Sequence, residues 1–354
     1  MYQLEIGTVE TIDRPRAGLA RLRVVLEGTK PEAAFALEPI ASGLLAGDEV
    51  LLHTTAERLG LGSSEGHVVV ANLTRPETRG RIAGSEMKAR YTASQVAVEL
   101  AESPTLWIDA DLGGIPVVVA ELHSALVPIV CGIRAAGSQA PVAYVMPDWN
   151  GLPVALSDAA HRLRELGWLS SIVTCGQAYG GDLEAASLPA GLCLAADGGA
   201  EGIVVVGGPG HLGGPQPFGF SAAGQADALH LAAALHGEPI LAPRVSGADE
   251  RERHRGVSHH TRAILERLLL TSVALPIPHG APPEIGRALE ASAARTESPV
   301  VRSRVPDYVP LARESGLKLE TMGRGVDDDP LYFRCLAAAG AHAASLMEED
   351  RNER

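Results

Sequence analysis

Residues 249–262, DERERHRGVSHHTR, gather four arginines and three histidines in a chain whose formal net charge is −13. Arg251, Arg253, Arg255 and Arg262 with His254, His259 and His260 concentrate positive potential where Ser258 is placed to cap a helix. Guanidinium groups bind carboxylate or phosphate through paired, charge-assisted hydrogen bonds, and a helix start adds to the same field. The segment therefore predicts anion binding by Arg253, Arg255, Ser258 and His259, with a solvated arginine face paired to Asp249, Glu250 and Glu252 as the alternative. A metal held by His254, His259 or His260 and a carboxylate is a third reading. Adjacent helical side chains point about 100° apart, however, so no metal set is assigned.

A second stretch, GIVVVGGPGHLGGPQPFG at 202–219, couples a branched apolar run to a glycine-rich loop that carries His211. Branched residues on both parities read as a strand buried on both faces of a parallel sheet. Gly208 and Gly210 allow close backbone approach, so they join His211 and Arg244 as anion-binding candidates. Gly208, Gly210 and Gly213 match the spelling of the dinucleotide fingerprint. That motif needs a helix to open at its third glycine, whereas Gly214, Pro215, Gln216 and Pro217 come first. Nicotinamide or flavin binding, another anionic ligand and a structural loop all stay open, and no cofactor is assigned.

The elements that position these groups divide into two patterns. Up to about residue 74 the chain reads as short strands with glycine turns, a small all-β barrel or sandwich. Within it, Gly62-Ser63-Ser64-Glu65-Gly66 spells the serine nucleophile motif but sits between strands, where a hairpin loop is expected. Residues 75–104 read as a linker and a connecting helix, from the spacing of Tyr91, Val96, Val98 and Leu100. From 105 to 354 strands alternate with helices. Strands are expected at 117–120, 142–146, 171–175, 203–206, 239–242 and 273–277, and less firmly at 300–305 and 317–322. Helices are expected at 155–166, 183–196, 221–235, 258–270 and 283–293. This predicts an α/β fold with a predominantly parallel, Rossmann-like doubly wound sheet, preferred over an eightfold β/α barrel.

Both folds place their sites at the carboxyl ends of strands. Those ends carry Glu121 with His123, then Asp148, Cys175 with Asp182 and Glu184, His211, then Arg244 with Asp249, and His279. His123, Asp148 and Asp182 are the candidates for acid–base catalysis. The bland alternatives are turn formation or capping for the aspartates and a buried inert thiol for Cys175.

Several of these strings occur together elsewhere. LHSALVPIVCGIRAAG, TCGQAYGGDLEA, PILAPRVSGADERERHRGVSHHT and TMGRGVDDDP, with GDEVLLHTTA and MKARYT earlier in the chain, resemble a family of bacterial proteins known only as a domain of unknown function. The resemblance covers nearly the whole chain and implies no activity, cofactor or catalytic residue. The family pattern has His where this chain has Gln177, and a Thr-bearing glycine loop where it has GGPQPFG. A role for a side chain at 177 or for a loop hydroxyl is therefore not carried over.

Composition narrows the function classes. The 354 residues are 46% hydrophobic but only 4% aromatic, so the core is aliphatic. A net charge of −13 argues against general nucleic-acid binding, which needs a basic face. Lys30, Lys88 and Lys318 are the lysines, which leaves little scope for Schiff-base chemistry. Four widely spaced cysteines read as reduced thiols in a cytoplasmic protein. The most apolar stretch, 115–133, is interrupted by Glu121, His123 and Pro128, so no membrane span is expected. Homo-oligomerisation is left open. The preferred reading is a soluble enzyme acting on a small anionic metabolite, phosphorylated ones included. The alternatives are a non-catalytic ligand-binding or scaffolding protein and, more weakly, a metal-dependent hydrolase.

Overall fold

The structure is a computed structural model that describes residues 2–60, 66–77, 84–101 and 109–353. Residues 62–65 of the serine motif therefore lie outside the described residues. The chain forms two compact units, Met1–Gly84 with Arg90–Ala97, and Ser85–Ala89 with Val98–Arg354.

The first unit is a closed five-stranded barrel in the order β1-β2-β3-β5-β4. Its strands are β1 (Leu4–Arg16), β2 (Leu19–Leu26), β3 (Glu32–Leu37), β4 (Glu49–His53) and β5 (His67–Asn72), with short helices α1 (Ile40–Gly43) and α2 (Thr55–Arg58). Alternation builds it. In β2, Leu22, Val24 and Leu26 turn inward while Arg23 faces out, as a period of two requires. Register shifts between Val9 and Thr11 and between Asp13 and Arg16 bend the β1–β2 ribbon, which closure of so small a barrel needs. Closure also requires Gly66, whose φ is +115° and where a Cβ would strike the Ala33 carbonyl.

The expected connecting helix is absent among residues 84–101, which carry two short strands, β6 (Glu86–Lys88) and β7 (Val96–Val98). Val96, Val98 and Leu100 recur every second residue, which is strand spacing. Ala89 and Tyr91 have positive φ, which a right-handed helix cannot contain.

The second unit is built on a six-stranded parallel sheet in the order β11-β10-β9-β12-β8-β13. The strands are β8 (Pro116–Val119), β9 (Val142–Met146), β10 (Ser171–Cys175), β11 (Leu183–Ala185), β12 (Gly202–Val205) and β13 (Glu238–Leu241). Each face buries its own core. Val117, Val119, Val145 and Val205 pack with α5 (Leu188–Asp197) and α6 (Gln225–Ala234). Val118, Tyr144, Met146 and Val204 pack with α3 (Leu126–Ala135), α4 (Asp158–Glu165) and the long α10 (Pro330–Glu353). Strands covered on both sides carry no polar face, which is why they read as continuous apolar runs.

Strand order locates the crevice. From β8 the chain crosses β12 to reach β9, and from β12 it crosses β8 to reach β13. Neighbouring strands thus send their connections in opposite directions, by α3 on one face and α6 on the other. This is a topological switch point, where open α/β sheets leave a crevice at the carboxyl ends.

The remaining elements correct several expectations. The sheet is open, so the eightfold barrel is excluded. Leu183–Ala185 forms the outer strand β11 rather than the start of a helix, because Ser187 caps α5 and Pro189 sits in its first turn. The helix expected at 258–270 is a five-residue α7 (His259–Ala263) followed by a π-turn, Ile264–Leu268. β14 (Val245–Ser246) pairs with β15 (Gly256–Val257), and β16 (Leu275–Pro278) runs parallel to β17 (Val300–Ser303). An isolated bridge, Ile240 to Ala274, leads from β13 toward β16. The strand expected at 317–322 shrinks to β18 (Glu320–Thr321), one arm of a hairpin with β19 (Arg324–Gly325). α10 was not expected from the sequence. It crosses α3 where Gly132 and Gly340 let the backbones touch, since a Cβ at Gly340 would overlap the Ile129 carbonyl oxygen. Among the described residues, no helix is long and apolar enough to cross a membrane.

Candidate functional site

Glu121 organises the crevice. It follows β8 at the switch point and is 3% exposed. Its Oε1 accepts a hydrogen bond from Arg244 Nη1 at 2.6 Å and lies 2.7 Å from His260 Nδ1 and 3.4 Å from His211 Nε2. The three partners come from the end of β13, the start of α7 and the loop after β12. Burial alone would push the carboxyl up, but Arg244, His260 and His211 more than offset it and hold Glu121 at about 2. It is an anion at any ordinary pH.

Arg244 continues the network. Its Nη2 reaches Asp249 Oδ2 at 3.5 Å, and Arg251 grips the same carboxylate at 2.9 Å through both Nε and Nη2. Arg324 adds contacts to Asp249 at 3.4 Å and to Asp329 at 3.7 Å. Burial would raise the Asp249 carboxyl, yet Arg251 and Arg324 hold it well below the usual range. Glu121, Asp249 and Asp329 thus balance Arg244, Arg251 and Arg324, a closed set of three carboxylates and three guanidinium groups.

The rest of the positive charge faces outward. Arg253, Arg255, Arg262 and His259 line a groove of about 410 Å³ together with Glu252 and Val257. Arg253 has no carboxylate partner among the described residues. Arg255 makes only a long 3.4 Å contact from Nε to the Asp249 carbonyl, and Arg262 pairs with Glu266 at 3.1 Å. A second hollow of about 500 Å³ shares His259 and Arg262 and adds Pro217, Phe218 and Ala263.

Behind His259 the imidazoles cluster. Ring centroids lie 4.2 Å apart for His259 and His260, 4.8 Å for His254 and His259, and 4.9 Å for His254 and His260, while Phe220 stacks on His260 at 4.0 Å. Burial, reinforced by nearby Arg244 and Arg251, lowers His254 to about 3. Burial and His260 lower His259 to about 4. Two triads have ligand atoms close enough to hold a metal, His254 with His259 and His260, and Glu121 with His211 and His260.

A family model described as a protein of unknown function, DUF3866, matches residues 33–340. The chain belongs to the DUF3866 family. No curated protein matches it. No solved structure matches it.

In this DUF3866 chain His123, Asp148, Cys175, His211 and Arg244 lie at the carboxyl ends of the parallel sheet. Asp182 precedes β11 beside the start of β10, and His279 follows β16 outside that sheet. The candidate groups fall into two sets. His211, Arg244, Ser258 and His259 join the cluster, and Arg253 and Arg255 its rim. Ser258 caps α7 through His260 N at 3.3 Å and also meets His254 Nδ1 at 2.8 Å. The other set serves the scaffold. His123 lies 3.0 Å from the Gly207 carbonyl through Nδ1 and 2.7 Å from Ser157 Oγ through Nε2, and burial lowers it to about 4. Asp148 Oδ2 accepts from Gln177 N at 2.9 Å, so position 177 contributes its backbone. Asp182 Oδ2 accepts from Ile172 N at 2.9 Å and Arg164 Nε at 2.8 Å, which ties down the outer strand. Gly208 packs against the Gly151 carbonyl and Met146, and Gly210 takes a φ of +97°. The loop runs to residue 220 without a helix, so the dinucleotide fingerprint lacks the helix end it needs.

Two expectations about the segment change. Ser258 Oγ already caps the start of this helix, so an anion in the groove would rest on the arginines rather than on the helix start. His259 and His260 do approach each other, with ring centroids 4.2 Å apart, although their Cβ directions differ by about 100°. Glu121 and His260 are the residues that sequence reasoning underrated. The available signal was a glutamate directly after a strand buried on both faces, a place where a carboxylate must find partners.

Proposed function

We propose that the chain is an enzyme acting on a small anionic metabolite that binds in the arginine groove and reacts against the histidine cluster at its floor. One observation carries this reading. The buried carboxylates neutralise Arg244, Arg251 and Arg324, whereas Arg253 and Arg255 keep their charge for the groove. Paired guanidinium groups suit a phosphate or carboxylate, and the Phe218 hollow suits an apolar portion of the same molecule. His259 lines both hollows, so the histidine cluster stands beside a substrate held there. The acid–base role then falls to the cluster, since His123, Asp148 and Asp182 direct their hydrogen bonds to the scaffold. Free Cys131, Cys175, Cys193 and Cys335 suit a reducing, cytoplasmic compartment.

Calorimetric titration with phosphorylated and carboxylated metabolites tests the reading. Each charge-assisted hydrogen bond is worth about 1.5–3 kcal/mol. Replacing Arg253 and Arg255 by alanine together should therefore weaken binding by roughly two orders of magnitude. Equal affinity in wild type and double variant would make the segment a solvated arginine face. A ligand that binds and is recovered unchanged would make the chain a binding protein rather than an enzyme.

A further inference from the structure

The three histidines of residues 254–260 share a feature that anion binding does not use. One ring nitrogen of each lies within 4.8 Å of those of the other two. The opposite nitrogens of two of them are engaged from behind. His254 Nδ1 meets Ser258 Oγ at 2.8 Å, and His260 Nδ1 meets Glu121 Oε1 at 2.7 Å, with Arg244 fixing that carboxylate. Nε2 is thus the nitrogen left to each of these rings. Nε2 of His259 and of His260 is buried without a hydrogen-bond partner among the described residues, and His260 as a whole is only 2% exposed.

Two unpartnered buried nitrogens beside a third ring call for a shared partner. A hydrogen-bond donor could satisfy one lone pair, but a cation can take one nitrogen from each of the three rings. The backing is what a metal-binding imidazole needs, because a carboxylate or hydroxyl on the far nitrogen fixes the tautomer and raises the basicity of the ligating one.

We propose that His254, His259 and His260 hold a transition-metal dication of the zinc class through Nε2, with Glu121 and Ser258 orienting the rings. An all-imidazole set favours zinc, nickel, copper or iron over magnesium or calcium, which require oxygen ligands. Tetrahedral coordination with bonds of about 2.0–2.1 Å needs nitrogens roughly 3.4 Å apart, which small ring rotations reach from the present spacing. Three nitrogen donors leave a fourth position for water or a substrate oxygen. The second triad, Glu121, His211 and His260, is the rival host, since Glu121 Oε2 and His211 Nε2 are also buried without a hydrogen-bond partner among the described residues, and the variants below separate the two. The site goes beyond the anion-binding reading and stands whether or not an anion occupies the groove.

The test uses the full chain, stripped with a chelator and dialysed, and reads metal binding rather than activity. Zinc titration by calorimetry should give one equivalent per chain with submicromolar affinity, and zinc should raise the melting temperature. Cobalt(II) in its place should give the visible bands of a tetrahedral nitrogen site. His259→Ala, at the groove and not fully buried, should lower zinc affinity at least 100-fold while the metal-free protein melts unchanged. Glu121→Gln should keep the stoichiometry and weaken affinity by about 10–100-fold, the range typical of a second ligand shell. If Glu121→Gln does not fold, His259→Gln takes its place and should match His259→Ala. Absence of binding at micromolar zinc overturns the proposal, and so does equal binding by wild type and His259→Ala. Loss of zinc in His211→Ala but not in His259→Ala would move the metal to the other triad and refute this assignment. Failure of metabolite binding in the arginine groove would leave all of these outcomes unchanged.

Discussion

Arg244→Met should destabilise the second unit far more than removal of any surface charge. The side chains of Arg244 and Glu121 are 4% and 3% exposed and meet at 2.6 Å. At an effective dielectric constant of about 20, unit charges at that distance attract by roughly 6 kcal/mol. Desolvation offsets part of that, and removing one member of such a pair typically costs about 3–5 kcal/mol, because the other charge stays buried without its partner. For a unit of this size each kcal/mol corresponds to about 2–4 °C, so the melting temperature should fall by roughly 10 °C. The assay is denaturant unfolding and scanning calorimetry of Arg244→Met, Glu121→Gln and the double variant. The double variant should recover about 2 kcal/mol or more relative to the sum of the single ones, the sign of direct coupling. Arg162→Met provides the control, since the Arg162–Glu165 pair is exposed and worth about 0–1 kcal/mol. A loss from Arg244→Met no larger than the control, or strict additivity, would refute the claim that this pair anchors the crevice.

Further expectations follow from other parts of the molecule. Gly340→Val should cost more than about 3 kcal/mol by chemical denaturation, because its Cβ would overlap the Ile129 carbonyl and force α10 off α3; a loss under 1 kcal/mol would contradict that crossing. Under native conditions a maleimide should label Cys193, which is half-buried, before the others. Cys131, Cys175 and Cys335, whose thiols burial pushes up to about 12, should react only after unfolding, and mass spectrometry reads the order. In chelator-treated protein, stability should fall as pH drops from about 6.5 toward 4. His123, His254 and His259 are depressed to about 4, 3 and 4, so the native state binds fewer protons than the unfolded one in that window. Glu121 should add a further loss between about pH 4.5 and 2, whereas a flat profile from pH 7 to 5 would contradict the buried neutral imidazoles.

The sheet was legible because its strands are covered on both faces. Val142–Met146, for example, shows its full length as uninterrupted apolar sequence, bounded by Pro141 and Pro147. The edge at which the site lies was legible for the same reason, since strand ends can be read wherever strands can. The partnerships were not. Glu121 and Arg244 stand 123 residues apart and meet only because β13 lies beside β8, a neighbour relation set by two crossovers that no local pattern encodes. Asp182 instead directly precedes β11 and bonds Ile172 N at the start of β10, so an aspartate that looked catalytic sits at the amino ends of the strands and holds down β11. The histidine cluster was hidden because the rule for adjacent helical residues fixes Cβ directions, not where the long imidazole side chains can meet. α10 escaped notice because its alanines and glycine, suited to close packing on α3, give a weak amphipathic signal.

The central claim is that the working surface of this chain is the arginine groove over the histidine cluster at the carboxyl ends of β8, β12 and β13. Its most direct test is anomalous X-ray diffraction from crystals equilibrated with tungstate, a heavy oxyanion whose position the scattering fixes. The account predicts tungstate in the groove, contacted by Arg253 and Arg255 with Arg262 and His259 alongside, and its loss from crystals of the Arg253→Ala/Arg255→Ala variant. Tungstate found only at the glycine loop of residues 208–213 or around Asp148 and Asp182, with the groove bare, would contradict it.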